Sequence, residues 1–471
     1  MIRTIVGVTP PEPAAVAGCI EGLAAWFGNR LVTSRAVCEQ HAHSTTWLSS
    51  QRPDAVVMAQ ETADIQDVVR ISAKHSVPVI PFGAGTSLEG QVNAPVGGVC
   101  IDLRDMNSIL EVHAEDLDCV VQPGMTRQRL NEQLRDHGLF FAIDPGADAS
   151  LGGLASTRAS GTNAVRYGTM SDNVLALKVV RGDGEIVSTG TRARKSATGY
   201  DLTRLFVGAE GTLGIICELT IKLYGIPDTI ASASCSFETL LSACQATVLA
   251  MQAGIPVARI ELLNAEQVKA CNSYSKLALP ETPLLLLEFH GSGSEVAEQS
   301  KAFCEIAKEC GGGDFTWATR SEDRTRLWQA RYDAWWAVKN IRPGAAVVAT
   351  DVCVPISRLA ECVTETEADI KRLNLISPIV GHAGDGNFHC LLVCDVDDPD
   401  EMARGEELMH LLVERSHAMG GTCTGEHGVG QGKQKYLEAE FGPEAIETMR
   451  ALKQALDPKN IFNPGKIFPA L

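Results

Sequence analysis

Two short segments toward the C-terminal end bring together side chains that do chemistry. His382 and His389 close either end of His382-Ala383-Gly384-Asp385-Gly386-Asn387-Phe388-His389, and Glu426 and His427 stand between glycines in Gly425-Glu426-His427-Gly428. Two imidazoles and a carboxylate can hold a divalent metal with positions left open for substrate, and a further imidazole can move protons. His382, His389 and Glu426 are therefore the candidate metal ligands, and His427 is the candidate general base. Zinc, manganese and iron suit this donor set about equally.

The element that must position the two histidines is a hairpin. Asp385-Gly386 is the dipeptide favoured in two-residue type I′ turns, where both central residues need positive φ. Centred there, the turn predicts His382 directly opposite His389 on one face, with Cβ atoms about 5 Å apart. Arg331 and Trp335 lie four apart in a segment that reads as one helix from Arg326 to Lys339 and ends before Pro343. The spacing places them on one helix face. A guanidinium there could clamp a carboxylate, or pair as a surface ion beside a core tryptophan.

Ahead of these lie four glycine-rich segments. The first is Pro81-Phe82-Gly83-Ala84-Gly85-Thr86-Ser87-Leu88-Glu89-Gly90-Gln91, which follows a strand expected over Val77 to Ile80. Its third glycine position is Leu88 and Gln91 stands where a P-loop has lysine, so neither a Rossmann fingerprint nor a P-loop is present. The others surround Pro145-Gly146 with Gly152-Gly153, Gly161-Thr162-Asn163 with Tyr167-Gly168, and Gly208-Ala209-Glu210-Gly211-Thr212-Leu213-Gly214. Together they imply an extended ligand of dinucleotide size.

The pattern around these loops is strand-rich α+β from Val56 to Tyr224, with an amphipathic helix after Thr62 through Ile65, Val68, Val69 and Ser72. Strands are expected at Val99 to Leu103, Ile109 to His113 and Cys119 to Val121, and a helix from Thr126 to His137 stopped by Gly138. The texture changes near Pro227, after which helices mix with isolated strands such as Leu284 to Phe289.

These motifs, with Thr350-Asp351-Val352-Cys353-Val354-Pro355 and Gly421-Thr422-Cys423-Thr424 ahead of Gly425, resemble the FAD-linked 2-hydroxyacid dehydrogenases over roughly residues 50–471, and most of all their cytochrome-linked D-lactate branch. The resemblance implies an α+β fold. A vanillyl-alcohol-oxidase-type (PCMH-type) FAD-binding domain over 51–227 would follow a helical lead-in over 1–50. A ferredoxin-like substrate and metal-binding cap over 228–429 and a helical tail over 430–471 would complete it.

It further implies that Phe82, Gly83, Ala84, Gly85, Thr86, Ser87, Gly90 and Gln91 hold the FAD pyrophosphate. Pro145, Gly146, Gly152, Gly153, Ser156, Gly161, Asn163, Tyr167, Gly168, Glu210, Gly211, Gly214 and Ile216 would line the rest, and Asn463 would return to the flavin ring. Some relatives attach flavin to a histidine near the first loop. Only His75 stands close by in sequence, so FAD is expected to be non-covalent.

The reaction implied is oxidation of a D-2-hydroxy acid, D-lactate to pyruvate first. Hydride would go to the flavin, the hydroxyl proton to His427, and the substrate carboxylate to Arg331 with Trp335 beside its methyl group. Relatives that oxidise diacids carry a further basic residue near the position of Ala349 or Thr350, and none stands here, though Lys339 or Arg342 could substitute. Glycolate and D-2-hydroxyglutarate remain the alternative substrates, and electrons would leave to a cytochrome c, a quinone or an electron-transfer flavoprotein. From the residues alone, a metallohydrolase or a flavin-binding subunit without activity are the competing classes.

Bulk composition sets the outer limits. A net charge of −17 argues against nucleic acid and against electrostatic docking to anionic lipid. Fifteen cysteines without a Cys-x-x-Cys pair read as reduced thiols and give no framework for an iron–sulfur cluster. No apolar run is long enough to span a bilayer, and Met1 to Ala17 lacks the features of a signal or transit peptide. The expected location is cytoplasmic, with peripheral attachment at the inner membrane and a homodimer left open.

Overall fold

The residues Ile65, Val68, Val69 and Ser72 do share one buried helix face in this computed structural model, which describes residues 9–313 and 315–468. Their helix is Thr62–His75, and Glu61 and Asp64 close a capping box at its start. The helix Arg127–Leu134 begins where Thr126 Oγ1 accepts from Arg129 N, and its 3₁₀ extension Arg135–His137 stops at Gly138 with φ +67°. Of the N-terminal lead-in, residues 1–8 lie outside the described residues; Pro13–Phe27 and Arg35–His41 are helices.

The chain falls into two compact units, Met1–Ser160 with Gly168–Ile226 and Glu426–Leu471, and Gly161–Tyr167 with Pro227–Gly425. The first unit has a sheet in the order Leu31–Val32, Ala55–Met58, Val99–Asp102, Val79–Phe82, parallel except for its first pair. A second, antiparallel sheet runs Ile109–His113, Asp118–Val121, Ile215–Lys222, Val174–Val180, Ile186–Ser188. The first expected strand is displaced from Val77–Ile80 to Val79–Phe82. Pairing in register with Val99–Asp102 carries it two residues further, to the lip of the first glycine loop.

One apolar cluster gathers the helices Pro13–Phe27 and Thr62–His75, the parallel strands, and Ile461 and Phe462 from the tail. A second fills the space beneath the antiparallel sheet. The tail helices are Leu437–Phe441 and Pro443–Leu456.

The second unit is built on an antiparallel sheet ordered Phe315–Ala318, Thr229–Ser236, Leu284–Gly291, Val257–Leu263, Ile379–His382, Asn387–Cys394, Ala346–Ala349. Its core joins Leu263, Leu284 and Leu286 to Trp328, Ala337 and Val338 of the covering helices. All fifteen cysteines are free thiols, and all but Cys304, Cys310 and Cys353 are buried. Among the described residues no helix is long and apolar enough to cross a membrane.

Candidate active site

The hairpin carrying the two histidines forms, in a register other than the expected one. His382 pairs with Asn387, Gly381 with Phe388 and Val380 with His389. The connection is a 3₁₀ turn over Ala383–Asp385 closed by Gly386 at φ +77°, so four residues turn the chain instead of two. A Cβ on Gly386 would stand 2.1 Å from Val354 O, which ties the turn to the segment beside it. The register moves by two residues, which preserves the face. His382 and His389 therefore lie diagonally on one side of the sheet, with ring centroids 5.6 Å apart and planes at 85°.

Each ring is anchored through Nδ1. His382 Nδ1 lies 2.6 Å from Glu261 Oε1, and His389 Nδ1 lies 3.0 Å from Thr350 O. An imidazole whose Nδ1 faces an acceptor carries its proton there and leaves Nε2 as the metal-binding atom. That is the tautomer a metal ligand needs, so this pair fits a divalent ion.

Glu261 has no place in the sequence-derived site. It lies on the strand Val257–Leu263, directly across from His382, and is completely buried. Its second oxygen takes Arg331 Nε at 2.5 Å. Complete burial pushes this carboxyl up, but its interactions with His382 and Arg331 outweigh that and hold the group below the ordinary carboxylate range. An acid inside the run Ile260-Glu261-Leu262-Leu263 was the signal that could have found it.

Arg331 and Trp335 do not share one helix. The helix Ser321–Tyr332 ends and Ala334–Lys339 begins at Asp333, whose carboxylate takes Ser275 Oγ and Gln329 Nε2. Arg331 turns to Glu261, while Trp335 packs against the core cluster that contains Leu263 and Trp328.

The segment leading to Glu426 is fixed by Asp351, whose side chain is fully buried. Its carboxylate accepts from Asn387 Nδ2 at 2.8 Å and from Thr424 Oγ1 at 2.7 Å. Gly425 must be glycine, since a Cβ there would lie 2.2 Å from Asn387 Nδ2. The next two residues, Glu426 and His427, open the last stretch of the first unit.

Within that unit, the His427 turn is clasped by residues expected to touch flavin. Gln91 Nε2 donates to His427 O at 2.8 Å, and Glu210 accepts from Val429 N at 2.6 Å and Gly430 N at 2.8 Å. Asn463 Nδ2 donates to Gln91 O and Glu210 O, while its Oδ1 accepts from Lys466 Nζ. Burial pushes Glu210 up to about 7 against the pull of those backbone N–H groups, and burial brings Lys466 down to about 7.

The glycine segments are those expected to cradle phosphate. Ser87 Oγ in the first loop and Ser150 Oγ at the second are buried and meet no hydrogen-bond partner among the described residues. Buried hydroxyls in that state fit a ligand with acceptor oxygens. Ser156 Oγ is bonded to Gly152 O within its helix, and Ile216 points into the core.

A histidine distant in sequence, His41, also stands beside the first loop. Its ring lies 4.7 Å from that of Phe82, with Nδ1 at Val37 O and Nε2 at Asp102. Asp102 is held at about 2, because the hydrogen bonds from His41 and Arg104 override its burial.

Residues 161–167 belong to the second unit. Asn163 Oδ1 accepts from Arg259 Nε at 2.8 Å, and Tyr167 OH lies 2.7 Å from His290 Nδ1. His290 Nε2 in turn meets Glu288 at 2.8 Å. Burial raises Glu288, yet the Arg259 charge and the His290 bond bring it to about 2.

A model of FAD binding domains matches residues 53–190, and a model described as FAD linked oxidases, C-terminal domain, matches residues 226–467. The chain belongs to the FAD-linked oxidase family. It is 52% identical over 435 residues to a probable mitochondrial D-lactate dehydrogenase of Danio rerio, covering 92% of this chain and 88% of that one. It is 45% identical over 417 residues to the mitochondrial D-lactate dehydrogenase [cytochrome] of Arabidopsis thaliana, covering 88% of this chain and 74% of that one. The fold is shared with 4-ethylphenol oxidase from Gulosibacter chungangensis, at TM-score 0.81 and 20% identity over 98% of this chain and 99% of that one.

Proposed function

We propose that this protein is an FAD- and metal-dependent dehydrogenase of D-2-hydroxy acids, with D-lactate as its substrate. The observation that carries the reading is the line Arg331–Glu261–His382, where one carboxylate joins the guanidinium suited to a substrate carboxylate to an imidazole suited to a metal. The relatives named D-lactate dehydrogenase support the substrate.

In this reading Arg331 binds the substrate carboxylate and Trp335 bounds the pocket on its methyl side. His382, His389 and Glu426 hold a divalent ion, which supplies Lewis acidity toward the substrate oxygens. Glu426 follows Gly425 by one peptide bond, and the Asp351–Thr424 bond fixes the chain up to that point. His427 takes the hydroxyl proton, with its backbone held by Gln91. FAD, when bound, supplies the hydride acceptor. The glycine loops of the first unit hold FAD without a covalent bond, with Ser87 and Ser150 donating to its phosphates. The acceptor of the electrons is a cytochrome, as the name of the Arabidopsis relative has it.

The test is anaerobic bleaching of the bound flavin by D-lactate, L-lactate, glycolate and D-2-hydroxyglutarate, each with and without chelator. D-lactate should bleach it fastest, and chelator should stop it. Flavin reduced equally well by both lactate enantiomers, or reduced at full rate in chelator, overturns the reading.

A further inference from the structure

We infer that Glu261 is a positioning residue for metal and substrate at once: its single carboxylate sets the tautomer of His382 and the orientation of Arg331. The inference rests on the metal and clamp roles proposed above.

The geometry is specific. Glu261 stands in register opposite His382, so its side chain and the imidazole leave the sheet side by side. One oxygen meets His382 Nδ1 at 2.6 Å and the other meets Arg331 Nε at 2.5 Å. Its strand neighbours Ile260, Leu262 and Leu263 are buried apolar residues. A buried ion pair is a poor way to stabilise a core, because a well-packed apolar replacement does as well or better. A carboxylate kept here between a histidine and an arginine is better explained by what it orients. With Nδ1–H donated to Glu261, His382 presents the Nε2 lone pair. With Nε donated to the same group, Arg331 is turned so that a substrate carboxylate would meet its Nη atoms.

Glu261→Gln separates these roles from bulk packing. The amide has one acceptor atom and one donor, so it serves one partner and opposes the other. Facing His382, its NH₂ would drive the ring to the Nε2–H tautomer and remove the ligating lone pair. Glu261→Asp keeps both oxygens but shortens the reach.

The measurements are zinc affinity of the FAD-loaded protein, by competition with a chromophoric chelator, and KM and kcat for D-lactate. Glu261→Gln should weaken zinc about 10- to 100-fold with FAD content unchanged. At saturating zinc its kcat should return toward the parent value while KM stays about tenfold high. Glu261→Asp should recover part of both losses, and it carries the test if the amide variant does not fold. Zinc affinity and KM within about twofold of the parent in whichever variant folds overturns the inference. His382→Ala separates the two levels. If it abolishes zinc binding while Glu261→Gln does not, only the role of Glu261 falls. If both leave zinc binding intact, the metal site itself falls.

Discussion

Asn387 stands directly opposite His382 across the hairpin, and its amide donates to Asp351 and to Val352 O. The position facing His382 is thus taken by a residue that braces the neighbouring segment, and the second imidazole comes in on the diagonal. The four-residue turn closed by Gly386 makes this arrangement possible.

Gly386→Ala should therefore damage the hairpin. The position needs φ +77°, and the added methyl would meet Val354 O. A loss of about 1–3 kcal/mol is expected in urea unfolding, accompanied by weaker zinc binding. An unchanged midpoint would show that the turn adapts.

Ser87→Ala and Ser150→Ala should leave the stability of the FAD-free protein unchanged or slightly raised. Each removes a buried hydroxyl that has no hydrogen-bond partner among the described residues. FAD should bind about fivefold more weakly in each, the equivalent of one lost hydrogen bond of about 1 kcal/mol. Flavin fluorescence quenching reads both variants, and equal affinity in parent and variants would place the phosphates elsewhere.

His427→Ala should retain FAD and zinc but slow anaerobic flavin reduction by D-lactate about 10²- to 10⁴-fold. Glu210→Gln should slow the same step by about tenfold, because the amide cannot accept from both Val429 N and Gly430 N. Stopped-flow absorbance measures each. A Glu210→Gln rate equal to the parent would mean that the turn holds without it.

Acid should destabilise the second unit through Glu288. Its folded value is about 2 against an ordinary 4.5, so its contribution is fully present above pH 4.5 and is lost as pH falls from 4.5 toward 2. The shift corresponds to about 3 kcal/mol at most. Glu288→Gln should flatten the acid limb of a stability–pH curve over that range; a limb of unchanged slope would assign acid sensitivity to other carboxylates.

Local signals in the sequence were legible where one residue type settles one structure. The Ile65, Val68, Val69 face, the Thr126 cap and the Gly138 stop all appear as expected. The two histidines were recognisable as a pair on one face, but their register was not. Asp-Gly favours a tight turn intrinsically, whereas the turn formed is longer and is bonded to a neighbouring segment, Val354 N donating to Gly386 O. The spacing of Arg331 and Trp335 suggested one helix, and the hydrogen bonds of the Asp333 side chain accompany its division. Glu261 could not be assigned a partner in advance, because His382 lies 121 residues away and Arg331 lies 70. Residues 161–167 belong with the second unit through Arg259 and His290, contacts that no local pattern announces.

The His427 turn is held by Gln91, Glu210 and Asn463, which come from three distant parts of the chain. Gln91 is 336 residues from His427, and Asn463 closes onto Glu210 across 253 residues. Such closures come late, since long loops must be ordered before their contacts repay the entropy. A chain that has reached residue 430 already contains every candidate catalytic side chain together with Gln91 and Glu210, yet it lacks Asn463, which ties those two to each other. The tie between Gln91 and Glu210 is in this way made only after the residues it steadies have all been synthesised.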